Sequence, residues 1–90
     1  MSNGGGSNVY RAKILITLRK SILDPQGKAV HHALESLGLQ NIRDVRIGKF
    51  IEMNVDTGSP EDAKHVTAEA CTKLLANSVM EDFSFTVEKI

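Results

Sequence analysis

Apolar and polar residues alternate from Val9 to Arg19. Tyr10, Ala12, Ile14, Ile16 and Leu18 fall on one face; Val9, Arg11, Lys13, Thr17 and Arg19 fall on the other, with Leu15 the apolar exception. A period of two with one wet face predicts a half-buried strand. The pattern then changes. Val30, Ala33, Leu34 and Leu37 recur at helical spacing behind Asp24-Pro25, where the aspartate suits an N-cap and the proline the first helical position. Gly38 is placed to end that helix, which is predicted over Pro25 to Leu37.

From Ile42 to Asp56 the alternation returns. Val45, Ile47, Ile51, Met53 and Val55 share a phase, and Arg46, Glu52, Asn54 and Asp56 take the other. Gly48 interrupts this long run, which predicts one bent strand or two strands meeting near Gly48 and Lys49. Ser59-Pro60-Glu61-Asp62 resembles a capping box and opens a second helix, with Ala63, Val66, Ala70 and Leu74 as its apolar stripe. Asn77 is placed to end it. Phe83, Phe85 and Val87 then alternate with Ser84, Thr86 and Glu88 in a last strand.

The order β-α-β(β)-α-β, with one apolar stripe per helix and one apolar face per strand, predicts an α+β fold. It is a two-layer sandwich with a mainly antiparallel sheet and two helices on one face. Residues 1–8, Met-Ser-Asn-Gly-Gly-Gly-Ser-Asn, have the chemistry of a flexible tail, which leaves 9–90 as a single domain. Such a domain buries a limited core, and Cys71 is the only cysteine, so no disulfide can reinforce it. Oligomerisation is the expected source of further buried surface, and the open edges of a short sheet invite it.

Charge narrows the function. Eleven Lys and Arg residues balance eleven Asp and Glu residues, which argues against nucleic-acid binding. No apolar run approaches a membrane span, and no apolar signal segment follows Met1. With a single cysteine, these features place the chain in a reducing cytoplasm.

The residues offer little catalytic chemistry. Cys71 reads as a core residue beside Ala70 and lacks a partner base. His31 and His32 are neighbours on a helix and point about 100° apart, which does not suit metal binding. Neither Gly4-Gly5-Gly6 nor Gly27-Lys28 has the context of a phosphate loop. Glu81 and Asp82 are adjacent before the last strand and read as a solvated turn or a partner contact rather than an acid–base pair. Lys49 stands out because it occupies the apolar phase between Ile47 and Ile51. Either the chain bends at Gly48 and the lysine snorkels from the sheet edge, or Arg46 and Lys49 flank the approach of a partner or an anionic ligand.

Three segments carry a resemblance: Ile22-Leu23-Asp24-Pro25-Gln26-Gly27-Lys28-Ala29-Val30, Asp44-Val45-Arg46-Ile47-Gly48-Lys49-Phe50-Ile51-Glu52 and Lys73-Leu74-Leu75-Ala76-Asn77-Ser78-Val79-Met80-Glu81-Asp82-Phe83. In this order and spacing they resemble the PurS family, small subunits of phosphoribosylformylglycinamidine (FGAM) synthase, from about Val9 onward. Ser78 stands where that family often has Pro or Thr, and Phe50 and Phe83 where Tyr is common. The resemblance implies a non-catalytic subunit with no cofactor of its own. It implies three partners: a large synthetase subunit (PurL) that uses ATP and Mg, a glutaminase subunit (PurQ) that releases ammonia, and a second copy of the chain in a homodimer or homotetramer. Partner contacts are expected at the matched segments, at Gln26 and Gly27, at Arg46, Gly48 and Lys49, and at Glu81 and Asp82. Arg46→Ala or Lys49→Ala is expected to weaken complex formation while leaving the fold intact.

Two other readings compete. The first is a regulatory small-ligand-binding module of ferredoxin-like type, with its ligand near Arg46 and Lys49. The second is an RNA-binding α+β domain, which the zero net charge and the core phase of Phe83 and Phe85 disfavour.

Overall fold

The computed structural model describes residues 8–90. It contains β1 (Asn8–Leu18), α1 (Pro25–Ser36), β2 (Gly48–Thr57), α2 (Pro60–Ala70) and β3 (Glu81–Lys89), with a π-turn over Cys71–Leu75 extending α2. Three antiparallel strands and two helices make the expected α+β sandwich, in the sheet order β2-β1-β3. β1 begins at Asn8, one residue inside the stretch read as a tail; the rest of that stretch lies outside the described residues.

The first strand of the sequence is thus the centre of the sheet. Ile14 sits between Ile51 and Phe85, and Ile16 between Lys49 and Phe83. Tyr10, Ala12, Ile14 and Ile16 are buried on the face that α2 covers. Ile14 and Ile16 form the core with Cys71 and Ala76, and Ile51, Met53, Leu75 and Phe85 pack around it. Phe83 and Phe85, two residues apart on β3, stack with ring centroids 6.3 Å apart.

Both helix starts follow the chemistry of their sequences. Asp24 caps α1 by accepting the Gly27 N–H, and Ser59 caps α2 by accepting the Asp62 N–H at 3.1 Å. Each helix has proline in its first turn, and Glu61 and Asp62 complement the positive end of α2. Gly38 closes α1 at φ 89°, a conformation that favours glycine.

The fold departs from the sequence reading in two places. Within the second extended stretch, 42–47 joins no strand, and β2 starts only at Gly48. The alternation at Val45 and Ile47 continues, but the backbone N–H of Ile47 is taken by the Asp24 carboxylate rather than by a neighbouring strand. The buried stripe of α2 also runs through Ala63, Thr67 and Cys71, whereas Val66 is 41% and Leu74 82% exposed. Thr67 suits the buried position because its hydroxyl donates to the Ala63 carbonyl at 2.7 Å, which satisfies its polar group locally.

Candidate interaction surfaces

The loop between β1 and α1 is locked against the segment that enters β2. Asp24, 5% exposed, accepts the Gly27 N–H at 2.9 Å through one carboxylate oxygen and the Ile47 N–H at 2.8 Å through the other. The amides of Gly27 and Ile47 hold its carboxyl below the ordinary range, with a smaller contribution from the Arg46 guanidinium. Arg46 completes the lock. Its guanidinium donates to the carbonyls of Leu18 at 3.0 Å, Arg19 at 2.7 Å and Ile22 at 3.4 Å. A planar fork of donors suits three carbonyls that converge at the end of a strand.

Two glycines permit the close approach. A Cβ on Gly27 would collide with the Val45 carbonyl oxygen, and one on Gly48 would lie 2.5 Å from the Ile16 carbonyl oxygen. Gly27 is therefore where α1 meets the incoming backbone, and Gly48 is where β2 begins to pair with β1.

These contacts sort the residues singled out from sequence. Gln26, Gly48, Lys49 and Glu81 come together with Leu18, Asp24 and Ile47 around one shallow cleft of about 220 Å³ at the end of the sheet. Lys49 lies opposite Ile16 at the sheet edge, half exposed, with its ammonium 3.9 Å from the Glu81 carboxylate. Glu81 also accepts the Asn77 N–H at 2.8 Å, which fixes the turn into β3. Asp82, its neighbour, pairs instead with Arg19 at 3.4 Å. Arg46 is engaged with the chain's own carbonyls, so its charge serves the loop. The sequence reading missed the role of Asp24 as a bridge to Ile47; capping explained that residue without requiring a distant amide.

Apolar side chains are also exposed. On the face of the sheet away from α2, Leu15 and Phe50 are cross-strand partners, 55% and 57% exposed. On α1, Val30 is 39% and Leu37 75% exposed. Cys71 is buried, and burial raises its thiol pKa, which leaves it a poor nucleophile. Among the described residues there is no group of three His, Cys, Asp or Glu side chains able to hold a metal, and no helix long and apolar enough to cross a membrane.

The chain as a whole resembles proteins of one kind. A family model described as PurS, phosphoribosylformylglycinamidine (FGAM) synthase, matches residues 11–89. The phosphoribosylformylglycinamidine synthase subunit PurS of Bacillus subtilis is 44% identical over 82 residues, covering 91% of this chain and 96% of the relative. The crystal structure of Methanocaldococcus jannaschii PurS superposes with a TM-score of 0.81 at 38% identity, covering 90% of this chain and 98% of that one. A chain in the structure of PurLQS from Thermotoga maritima also superposes with a TM-score of 0.81, at 26% identity, covering 91% of this chain and 98% of that one. With a match over nearly all of the described residues and a relative this similar across its length, the chain belongs to the PurS family of phosphoribosylformylglycinamidine synthase.

Proposed function

We propose that this chain is the small, non-catalytic subunit of FGAM synthase in purine biosynthesis. It acts in the cytoplasm and organises a large ATP-dependent synthetase subunit and a glutaminase subunit for ammonia transfer. The observation that carries the reading is the family match over residues 11–89. The likeness to a chain of the Thermotoga maritima PurLQS structure supports the choice of partners. ATP and Mg belong to the large subunit. The small subunit associates with itself and presents charged and apolar surfaces to its partners.

Ammonia that meets bulk water escapes or is protonated. A subunit that fixes two active sites relative to each other shortens the route and excludes solvent from it. The end of the sheet around Gln26, Lys49, Glu81 and Asp82 is the proposed docking surface, and the Asp24–Arg46 lock keeps it rigid. Glutamine-dependent turnover by purified large and glutaminase subunits, with and without this chain, tests the role. A requirement for the chain, with co-elution of all three, supports it; turnover and elution that ignore the chain overturn it.

A further inference from the structure

The two helices of this chain are packed unequally. α2 lies against all three strands, whereas α1 has no substantial contact with any strand or with α2. Its neighbours are local: Gly27 abuts Val45, and His31 Nε2 is 2.6 Å from the Ile42 carbonyl oxygen. The molecule consequently measures 57 × 27 × 17 Å, with a radius of gyration of 17.6 Å where a compact domain of this length has about 12 Å. A helix of twelve residues is marginal in water without an apolar partner. Val30 and Leu37, with half-buried Leu34 between them, form a stripe that no part of the described chain covers.

A second uncovered stripe runs along α2. Ala63, Thr67 and Cys71 face the sheet, which leaves Val66 and Leu74 on the flank of the helix. Val66 to Leu74 spans about 12 Å and Val30 to Leu37 about 10 Å at helical rise, so the two stripes match in length. Neither stripe carries a charge at these positions. The lock of Asp24 and Arg46 holds α1 where it cannot fold back beside its own α2.

We propose that two copies of this chain exchange their first helices: Val30, Leu34 and Leu37 of each copy pack along Val66 and Leu74 of the other. Deepening the self-association named above, this gives each sheet a layer of two helices, one from each chain. Two-fold symmetry satisfies both uncovered stripes at once, because residue i of one copy meets residue j of the other in both directions. Side-by-side helices at the usual 8–10 Å spacing then complete the layer that α2 begins.

Light scattering on the purified chain, paired with a complementation experiment, tests the exchange. Val30→Asp/Leu37→Asp disables the donated helix, and Leu74→Asp disables the receiving flank. Both stripes are exposed in the single chain, so the sheet is expected to survive, as circular dichroism will report. Val30→Ser/Leu37→Ser is a milder donor variant should the aspartates unravel α1. The wild type is expected to be a dimer, and each variant alone is expected to raise the dimer Kd by about tenfold or more. Mixing the two variants should restore dimers, since the mixed pair retains one intact helix on one intact flank. A monomeric wild type, variants that remain fully dimeric, or a mixture that stays monomeric would each overturn the exchange. Contacts between like helices predict no recovery on mixing. Synthase turnover with the same preparations separates this result from the assembly role: dimers that recover without supporting turnover leave the exchange standing and remove the role.

Discussion

Asp24 and Ile47 lie far apart in sequence, yet the Asp24 carboxylate accepts the Ile47 N–H at 2.8 Å while its other oxygen caps α1. One side chain thereby starts a helix and ends the approach to a strand. The cap alone is local and legible; the bridge depends on the fold bringing 42–47 back to the start of α1.

Acid should release this bridge. The folded-state carboxyl titrates below its ordinary value, so its stabilisation is present above the unfolded pKa and is lost as pH falls from about 4 toward the folded value. Asp24→Asn keeps one acceptor and loses the charge. The urea midpoint of the wild type should exceed that of Asp24→Asn at neutral pH, and the gap should close in acid. A gap independent of pH would assign the effect to packing.

Arg46 offers a sharper contrast with the expectation drawn from sequence. Because its guanidinium supports three carbonyls, Arg46→Ala should cost on the order of 2 kcal/mol of stability in urea titrations. Arg46→Lys should recover little, since an ammonium cannot span all three. Wild-type stability in Arg46→Ala would show that solvent replaces the guanidinium.

Lys49 behaves oppositely. Its pair with Glu81 is long and half exposed, so Lys49→Ala should change stability by less than about 0.5 kcal/mol. Weaker co-elution with the large subunit is the expected effect, and unchanged co-elution removes Lys49 from the docking surface.

Gly27→Ala forces a methyl group into the Val45 carbonyl oxygen and toward the Asp24 carboxylate. The backbone must move, and a loss of about 2 kcal/mol is expected from thermal or urea unfolding. Gly58→Ala provides the control, since a Cβ there meets nothing within 4 Å.

The strands were legible because alternation marks one face directly, as the buried run of Ala12, Ile14 and Ile16 shows. Capping at Asp24 and Ser59 was legible for a similar reason: the carboxylate or hydroxyl acts on an amide three residues away. The phase of α2 was misjudged because Thr67 counts as polar in a pattern, whereas its hydroxyl is satisfied within the helix and its methyl suits the core. The apolar stripe of α1 was correctly seen, but amphipathicity does not say which surface covers it. Arg46 and Lys49 looked alike in sequence; only the convergence of Leu18, Arg19 and Ile22 carbonyls separates an inward clamp from an edge charge.

The sheet order has a consequence for how the chain acquires its shape. β1 is synthesised first but stands in the middle, and its pairing with β3 joins residues from opposite ends of the described chain. Until β3 has been made, one edge of β1 remains open and the core around Ile14 and Ile16 lacks Phe85. Contacts of such long sequence separation slow folding and prolong the exposure of a sticky intermediate. During translation this protein therefore carries its most aggregation-prone strand unprotected for nearly the whole time, and chaperone demand should fall on the nascent chain rather than on the finished subunit.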